Sequence, residues 1–540
     1  MKKFIFHNKL TILLLFIIAF AAFLRLWMLG QVPSSLTDDE IREVMSAYSL
    51  IHTGRDLFGN FLPLTFNMES VNFGPVSIYI ASIFLLFSDL GNFIGRFPYA
   101  LVSIVSVLLT YFLSLRITSN KIMAILSAFA MSISVWDIQI SRVAMDPSFS
   151  MFFYLLGINW FLRIKKNNYK NLLLSLIFMV LGFYSYAATK VIFLPFILLL
   201  GWYKWPELNR KQVLTVIIFI LFTFGSFAFL AKTQNAAQYD NAPFFFMDTQ
   251  QTATGVELER RASEAPGILK TLYHNKLTYW YKTFVDQYVY AFSPEFLFTK
   301  QESNGIFSTW DRGEMYVFES ILILAGSVFL FLKKRKELVF TFLMIASSVL
   351  PSGLGVHTPT YVIRSELMIP FLYVLVGTGI YSISYFVKNN NLKKVFYLLL
   401  VILYIYSFGG YLTQYYYDWS RTHSDYFTIS TKNMVLGASS YSKDGKKVIV
   451  SGARPVTVLQ YAFYNKVGPN NFISKIDKFP LEIGNVTFYA SCLIQEDNPF
   501  KVIPQNTVYI AASLCKYKTK PSYTINSFNH GVDWNIYLRK

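Results

Sequence analysis

The sequence predicts a polytopic α-helical membrane protein with a C-terminal soluble α/β domain. Of its 540 residues, 54% are hydrophobic and only 15% are charged, a composition too apolar for a large soluble protein. Apolar segments recur along the first three quarters of the chain, and each approaches the ~20 residues that a helix needs to cross a bilayer. We predict about eleven transmembrane helices, at residues 9–29, 96–115, 122–139, 147–163, 171–186, 189–204, 212–231, 317–332, 338–351, 365–387 and 395–413.

The first apolar segment follows Lys2, Lys3 and Lys9 and could be mistaken for a signal peptide. It has no small-residue cleavage site and further apolar segments follow it, so we interpret it as a retained first helix.

The distribution of Lys and Arg orients the chain in the membrane. The segment 75–88 is ambiguous, because it is apolar but short. If it does not cross, the loops rich in Lys and Arg all fall on the cytoplasmic side, as the positive-inside rule requires. We therefore predict that 75–88 is a short helix in the outer leaflet and that residues 1–414 form a membrane domain with external loops at about 30–95 and 232–316. The formal net charge of +18 lies in short clusters between apolar segments, so a nucleic-acid partner is excluded.

The tail, residues 415–540, has a different pattern and is predicted to be an extracytoplasmic soluble α/β domain. Short β-rich runs at 447–451, 486–490 and 507–511 are separated by Gly, Pro and Asn. Cys492 and Cys515 are the only cysteines of the chain. They could form a disulfide or remain buried thiols.

Residues 37–54, which follow the first apolar segment, have the pattern of a helix at the membrane surface. Ile41, Val44 and Met45 begin an apolar face with helical spacing, and Gly54 is a suitable C-terminal stop. Thr37 and Glu40 match a capping box. The acids Asp38, Asp39 and Glu40 could serve only to complement the helix dipole.

The predicted topology brings further ionisable residues to the same external face. They are Arg142 and Asp146 between two segments, Lys190 after Tyr184 and Tyr186, and Arg364 before another segment. Snorkelling to the interface accounts for single cations, but the convergence of cations and acids on one mouth favours a site. Arg and Lys could hold a lipid-linked phosphate, and an aspartate could take the proton of an acceptor. The chain has no Walker-type loop, HExxH or CxxC motif.

The order of several short motifs resembles that of the GT-C membrane glycosyltransferases. It is most similar to family 39, the dolichyl-phosphate-mannose–protein mannosyltransferases and the lipid A aminoarabinose transferases. The motifs that carry the resemblance are Asp39-Glu40, 74–79, 95–101, 141–144 with Asp146, 184–186 with Lys190 and Pro195, 274–276, 292–298, and Arg364 with Pro370. The match extends to about residue 387 and does not include the tail.

The resemblance implies an inverting glycosyltransferase that moves a sugar from a polyprenyl-phosphate carrier to a protein, lipid or glycan acceptor. Asp39, Glu40 and Asp146 would be the catalytic acids, with Asp39 the base or the acceptor-orienting group. Arg142, Tyr184, Tyr186, Lys190 and Arg364 would bind substrate. Two departures stand out: Phe73-Gly74 replaces a basic residue of some relatives, and Lys190 stands where many have Arg, which loses the bidentate fork.

The resemblance leaves a divalent metal, Mg or Mn, open, since members of the class differ in this respect. It implies an integral protein of the plasma (inner) membrane with an extracytoplasmic active site. A transporter or lipid flippase for envelope precursors is the alternative, although paired halves and helices broken near the midplane, which are typical of transporters, are not evident.

Overall fold

The chain is mainly helical up to residue 443 and ends in a mixed α/β region. The computed structural model describes residues 2–68, 71–233, 244–355, 360–493, 498–529 and 531–539. The helices in these residues are α1 (Lys2–Leu26), α2 (Asp38–Thr53), α3 (Pro75–Phe84), α4 (Asn92–Thr118), α5 (Lys121–Ser132), α6 (Val135–Ser141), α7 (Pro147–Phe161), α8 (Tyr169–Ser185), α9 (Phe193–Tyr203), α10 (Arg210–Thr233), α11 (Thr249–Ala262), α12 (Gly267–Tyr273), α13 (Lys276–Tyr290), α14 (Glu319–Lys333), α15 (Arg335–Ser348), α16 (Leu350–Leu354), α17 (Tyr361–Arg364), α18 (Ile369–Phe386), α19 (Asn390–Thr413), α20 (Ser420–Thr422), α21 (Ile429–Lys443) and α22 (Pro455–Tyr464).

Each of the apolar segments predicted to cross the membrane coincides with a helix. Among the described residues, six helices are long and apolar enough to span a bilayer, and the pair α5 and α6, bent by 56°, would make a seventh. The six are Lys9–Leu26, Asn92–Thr118, Arg210–Lys232, Arg335–Leu354, Glu366–Phe386 and Asn390–Thr422. Helices α7, α8, α9 and α14 are shorter, with 15, 17, 11 and 15 residues. The prediction of a polytopic α-helical membrane protein is confirmed.

The ambiguous segment 75–88 forms the short helix α3, which has 10 residues. At 1.5 Å per residue it is roughly 15 Å long, about half of the hydrocarbon thickness. Helix α3 packs against α2. Both helices follow the first apolar helix, α1, in the chain.

Helix α2 begins and ends as its sequence predicts. Thr37 accepts a hydrogen bond from the Glu40 backbone N–H, and the Glu40 side chain accepts one from the Thr37 N–H. Gly54 ends the helix in the left-handed conformation, with φ 69°. Ile41 and Met45 are fully buried, so the apolar face packs into the protein and the acids are left at the helix start.

The C-terminal region, residues 415–540, contains a six-stranded mixed sheet that confirms the predicted α/β pattern. A separate hairpin of β1 (Phe66–Met68) and β2 (Val71–Phe73) precedes α3. The strands of the large sheet are β3 (Lys447–Ser451), β4 (Leu481–Ile483), β5 (Val486–Tyr489), β6 (Thr507–Ala512), β7 (Tyr523–Asn526) and β8 (Val532–Leu538).

The order of strands in the large sheet is β4-β5-β3-β6-β8-β7. The central β3 is parallel to β5 and β6, and the outer pairs are antiparallel. Cys492 and Cys515 form a disulfide beside this sheet, which decides between the two alternatives left by the sequence.

The C-terminal region sits directly on α2 and the loop before it. Tyr464, at the end of α22, bonds through its hydroxyl to Ser35 (2.7 Å) and to the backbone N–H of Leu36 (3.2 Å). Lys432 of α21 donates to the Ser34 carbonyl at 2.6 Å. The position of α2 is therefore set partly by residues some 400 positions further along the chain.

Candidate active site

The three consecutive acids at the start of α2 have three different environments. Asp38 accepts hydrogen bonds from Arg454 (2.6 Å) and Gln460 (3.1 Å), both on or beside α22. Glu40 points into the protein, and Asp39 remains beside Arg42 with a side chain that is 41% exposed. The sequence left open which of the three acids reacts, and the structure leaves Asp39 as the accessible one.

Glu40 is fully buried, and its carboxylate is completely engaged. Its oxygens accept from Arg96 at 2.7 and 3.0 Å, from the Ala144 backbone N–H at 2.9 Å and from the Thr37 N–H at 2.9 Å. A carboxylate with this many donors is a strong structural anchor and has no lone pair directed at solvent. The expectation that Glu40 is a catalytic acid is therefore corrected to a positioning role for α2 and the 141–146 loop.

Asp146 lies at the start of α7 and faces Asp39 across the mouth. Its Oδ2 accepts from the Gly74 backbone N–H at 3.0 Å, and its residue is only 6% exposed. Burial raises the pKa of the Asp146 carboxyl to about 7; the Gly74 hydrogen bond opposes that shift, the charge of Asp39 adds to it and Lys190 opposes it. Asp39 and Asp146 thus lie close enough for the charge of one to affect the other.

Asp39 has a similarly perturbed carboxyl group. Burial raises its pKa above the usual value, and the neighbouring Arg42, whose Nη1 is 2.6 Å from Oδ1, opposes the shift. Both acids therefore hold a proton more readily than a solvated aspartate, which suits groups that accept one during a reaction.

Gly74 is needed for the close contact between the hairpin and α8. A Cβ at this position would lie 1.6 Å from the Ser185 carbonyl oxygen, so no side chain fits. The contact places Gly74 and Pro75 beside Tyr184 and Tyr186 and holds the Gly74 N–H on Asp146. Phe73-Gly74 stands where some relatives have a basic residue, and the close contact with Ser185 is a structural reason for this departure.

A small pocket of about 30 Å³ opens next to Asp146. Its polar side includes Lys190 and Tyr186, and its apolar side includes Phe73, Phe227 and Leu230. The Lys190 ammonium lies 4.5 Å from the centre of the Phe227 ring. The pocket therefore combines one cation with apolar walls, as an amphiphilic phosphate would require.

The two tyrosines of this pocket differ in their partners. The Tyr184 hydroxyl pairs with Ser226 of α10 at 2.6 Å. Tyr186 instead makes a side-chain hydrogen bond with Arg364, which brings that arginine to the site. Arg364 also packs closely on Gly355, where a Cβ would lie 2.1 Å from its Nη1.

Arg142 does not reach the pocket. Its guanidinium is fully buried and donates to Tyr415 Oη at 3.1 Å and to the carbonyls of Trp27 (2.8 Å) and Val32 (3.0 Å), among others. All three of its nitrogens are occupied, Nε by Tyr415 and the two Nη atoms by carbonyls at the end of α1 and in the following loop. The expected substrate contact of Arg142 is therefore replaced by a structural one.

Two residues near the site were not among the predicted site residues. Arg96, the partner of Glu40, stands in an apolar segment, and an arginine there is itself a signal of a buried partner. Glu43 follows Asp39 by one helical turn, on the same face of α2. Burial, followed by the charge of Asp146, raises the pKa of the Glu43 carboxyl well above its usual value.

A metal site is not evident in the residues that the structure describes. In them, no three His, Cys, Asp or Glu side chains come close enough together to hold an ion.

Comparison with solved structures defines the class of this fold. The chain is similar to ArnT from Cupriavidus metallidurans in the apo state, with a TM-score of 0.54 and 10% identity over 98% of both chains. ArnT bound to undecaprenyl phosphate matches with a TM-score of 0.52 and 10% identity, over 97% of both chains. The apo oligosaccharyltransferase of Archaeoglobus fulgidus matches with a TM-score of 0.50 and 12% identity, over 93% of this chain and 69% of that one. The fold is that of the GT-C class.

A sequence comparison agrees with the fold. The family model described as dolichyl-phosphate-mannose-protein mannosyltransferase matches residues 15–231, which include α2, Asp146 and Lys190. No curated protein matches the sequence. By sequence and by fold, the chain is therefore similar to glycosyltransferases of the GT-C class.

Proposed function

We propose that the protein transfers a sugar, with inversion, from a polyprenyl-phosphate carrier to an acceptor on the outer face of the membrane. The observation that carries this proposal is the meeting of Asp39, Asp146 and Lys190 at one mouth. A carboxylate that accepts the acceptor's proton and a cation that stabilises the leaving phosphate suit a displacement with an anionic leaving group.

The pocket beside Asp146 suits the carrier. Lys190 and, behind Tyr186, Arg364 supply positive charge for a phosphate, while Phe227 and Leu230 continue into an apolar wall. The structure of ArnT with undecaprenyl phosphate supports this choice, since that protein shares the fold along nearly its whole length.

The reaction is a single displacement. Asp39 accepts the proton of the acceptor hydroxyl as its oxygen forms a bond to the anomeric carbon. The bond between that carbon and the phosphate oxygen breaks, and the carrier leaves as polyprenyl phosphate. Lys190 and Arg364 stabilise the charge that develops on the phosphate. Attack on the face opposite to the leaving group inverts the anomeric configuration.

Asp146 acts from the other side of the mouth. Its Oδ2 is held by Gly74, so its second oxygen is the one available to orient the acceptor. Arg42 keeps Asp39 directed toward the same space, and Glu40 fixes the helix that carries it.

Placement on the outer face follows from the distribution of basic loops, which puts the start of α2, the 141–146 loop and the C-terminal region on the side away from the cytoplasm. The disulfide between Cys492 and Cys515 supports the same placement, because such bonds persist in oxidising compartments.

The test uses purified protein with polyprenyl-phosphate sugars and a mixture of envelope acceptors, and measures free lipid phosphate and new glycosides by mass spectrometry. Asp39→Asn and Asp146→Asn should each abolish transfer without changing membrane insertion. The control is Asp89→Asn, because the Asp89 side chain is 83% exposed and pairs only with the exposed Lys466 in the described structure. Full activity of Asp39→Asn would remove that residue from the mechanism.

A further inference from the structure

A second cavity lies apart from the pocket at Asp146, in the external part of the protein. It has a volume of about 360 Å³ and lies between the end of α13, the 300–310 segment and the start of α17. Cavities of roughly 300–1,000 Å³ are typical of small-molecule sites. The proposed mechanism does not use this cavity.

Aromatic rings form much of the wall of this cavity. Tyr290 and Tyr361 pack with ring centres 4.8 Å apart. Trp310 lies opposite, 43% exposed, with its ring centre 3.9 Å from that of His423. Its indole N–H donates to the Ser303 carbonyl at 3.2 Å, so the polar edge of the ring is occupied and an apolar face remains open.

Trp310 also has an unusual backbone. Its φ is 65°, in the left-handed region that bulky residues rarely adopt. Such a conformation is costly and tends to be kept where a side chain has a function. Here the strained backbone places the Trp310 indole at the cavity and not in the core.

Glu302 supplies the polar group of the cavity. Its residue is only 2% exposed, and its Oε2 accepts from the Val362 backbone N–H at 3.0 Å. The other oxygen, Oε1, is also buried. Among the residues that the structure describes, none forms a hydrogen bond of normal geometry with it. A buried polar atom without a partner is costly, and a ligand hydroxyl would satisfy it.

The charges around the cavity favour a neutral ligand over an anionic one. Lys300 is the cation among its lining residues, and its side chain is 69% exposed and bonded to Glu295 at 3.1 Å. Glu314 lies behind Glu302 and is also buried. Burial raises the pKa of Glu302 to about 8, so near neutral pH its carboxyl carries a proton that it can donate. A neutral ligand with hydroxyl groups and apolar faces fits these walls.

We propose that this cavity binds a neutral sugar unit of the acceptor, stacked on Trp310 and the tyrosines and hydrogen-bonded to Glu302. This inference rests on the proposed function and makes the acceptor a glycan or glycoconjugate. Sugars have apolar C–H faces that pack on aromatic rings and hydroxyls that pair with carboxyl groups.

The short helix α17 connects the cavity to the catalytic mouth. Tyr361, at its first residue, lines the cavity, and Arg364, at its last, bonds to Tyr186. At 1.5 Å per residue the two lie only about one helical turn apart. A sugar in the cavity would place the next unit of its chain beside the residues that hold the donor phosphate.

The test measures binding and donor turnover in the full-length protein in lipid nanodiscs. The probes are methyl glycosides of mannose, glucose, galactose and N-acetylglucosamine. Their binding is measured by saturation-transfer NMR at millimolar concentrations, because one sugar unit is expected to bind with a millimolar dissociation constant. Trp310→Ala and the isosteric Glu302→Gln should each weaken binding about tenfold, and Trp310→Phe should retain part of it. The control is Trp205→Ala, which removes another exposed indole, 64% accessible, outside the cavity.

A second measurement distinguishes this inference from the proposed function. It follows the release of lipid phosphate from the donor when no acceptor is present. Trp310→Ala should release it at the wild-type rate. If wild-type protein binds no glycoside, or if Trp310→Ala and Glu302→Gln bind as wild type does, the sugar cavity is refuted even when donor turnover is normal. Preferential binding of a Ser/Thr-containing peptide at the same residues would also refute it. Absence of donor turnover with Trp310-dependent glycoside binding would refute the transfer reaction instead.

Discussion

The Glu40 carboxylate and the Arg96 guanidinium form a fully buried ion pair between α2 and α4, with Nε 2.7 Å from Oε1. Arg96 donates in addition to the Pro33 and Ser35 carbonyls, both at 2.7 Å. The pair therefore fixes the loop before α2 and the helix itself, and Asp39 stands directly beside it in the chain.

Removal of the cation of this pair should destabilise the protein. Arg96→Met leaves Glu40 buried without its partner, which costs about 3–5 kcal/mol. We expect a marked fall in the thermal unfolding midpoint in detergent. Lys466→Met is the control, because its pair with Asp89 is exposed and should contribute nothing measurable. An unchanged midpoint in Arg96→Met would contradict the anchoring role of Glu40.

The pH dependence of transfer should report Asp146. Its pKa is raised to about 7, so the carboxylate is ionised above that pH and protonated below it. We expect kcat/KM to rise with pH through about 7 when it is measured between about pH 5 and 9. Asp146→Glu, which keeps a carboxyl, should retain an inflection at a shifted pH if it is active. If kcat/KM of the wild-type protein does not change with pH over this range, the ionisation of Asp146 does not control transfer.

Gly74→Ala should abolish transfer, although the substitution replaces no charged residue. The added methyl would overlap the Ser185 carbonyl, so the hairpin must move and the Gly74 N–H leaves Asp146. Gly91→Ala is the matched control, since no atom lies within 4 Å of its added Cβ. Activity and yield of folded protein are measured for both. Normal transfer by Gly74→Ala would show that the Asp146 contact is dispensable.

The contact between Asp38 and Arg454 should influence catalysis from a distance. Arg454 is 61% exposed in its side chain, so its loss removes about 1 kcal/mol and leaves the protein folded. We expect Arg454→Ala to lower kcat severalfold by loosening the start of α2, with little effect on donor affinity. The charge reversal Asp38→Arg with Arg454→Asp should restore part of the loss. Equal effects of the single and double variants would show that the ion pair does not matter.

The sequence predicts the local structure of the site well, because the signals are local. Thr37, Glu40 and Gly54 define both ends of α2 within 18 residues, and the capping box and left-handed stop are both present. The apolar lengths and basic loops likewise predict the helices and the short α3.

The roles of the individual acids could not be predicted, because they depend on partners far along the chain. Asp38 meets Arg454, 416 positions away, and Glu40 meets Arg96, 56 positions away. The resemblance implies that Arg142 binds substrate, but the carbonyls left unpaired at the end of α1 take its guanidinium. Only the tertiary arrangement leaves Asp39 accessible.

The anchoring of α2 by α21 and α22 also bears on biogenesis. Lys432, Arg454 and Tyr464 emerge from the ribosome long after α2 and the membrane helices that follow it. Asp39 therefore receives its final support only once the terminal sheet has folded. A nascent chain in which that sheet has not yet folded lacks the contacts that hold the start of α2.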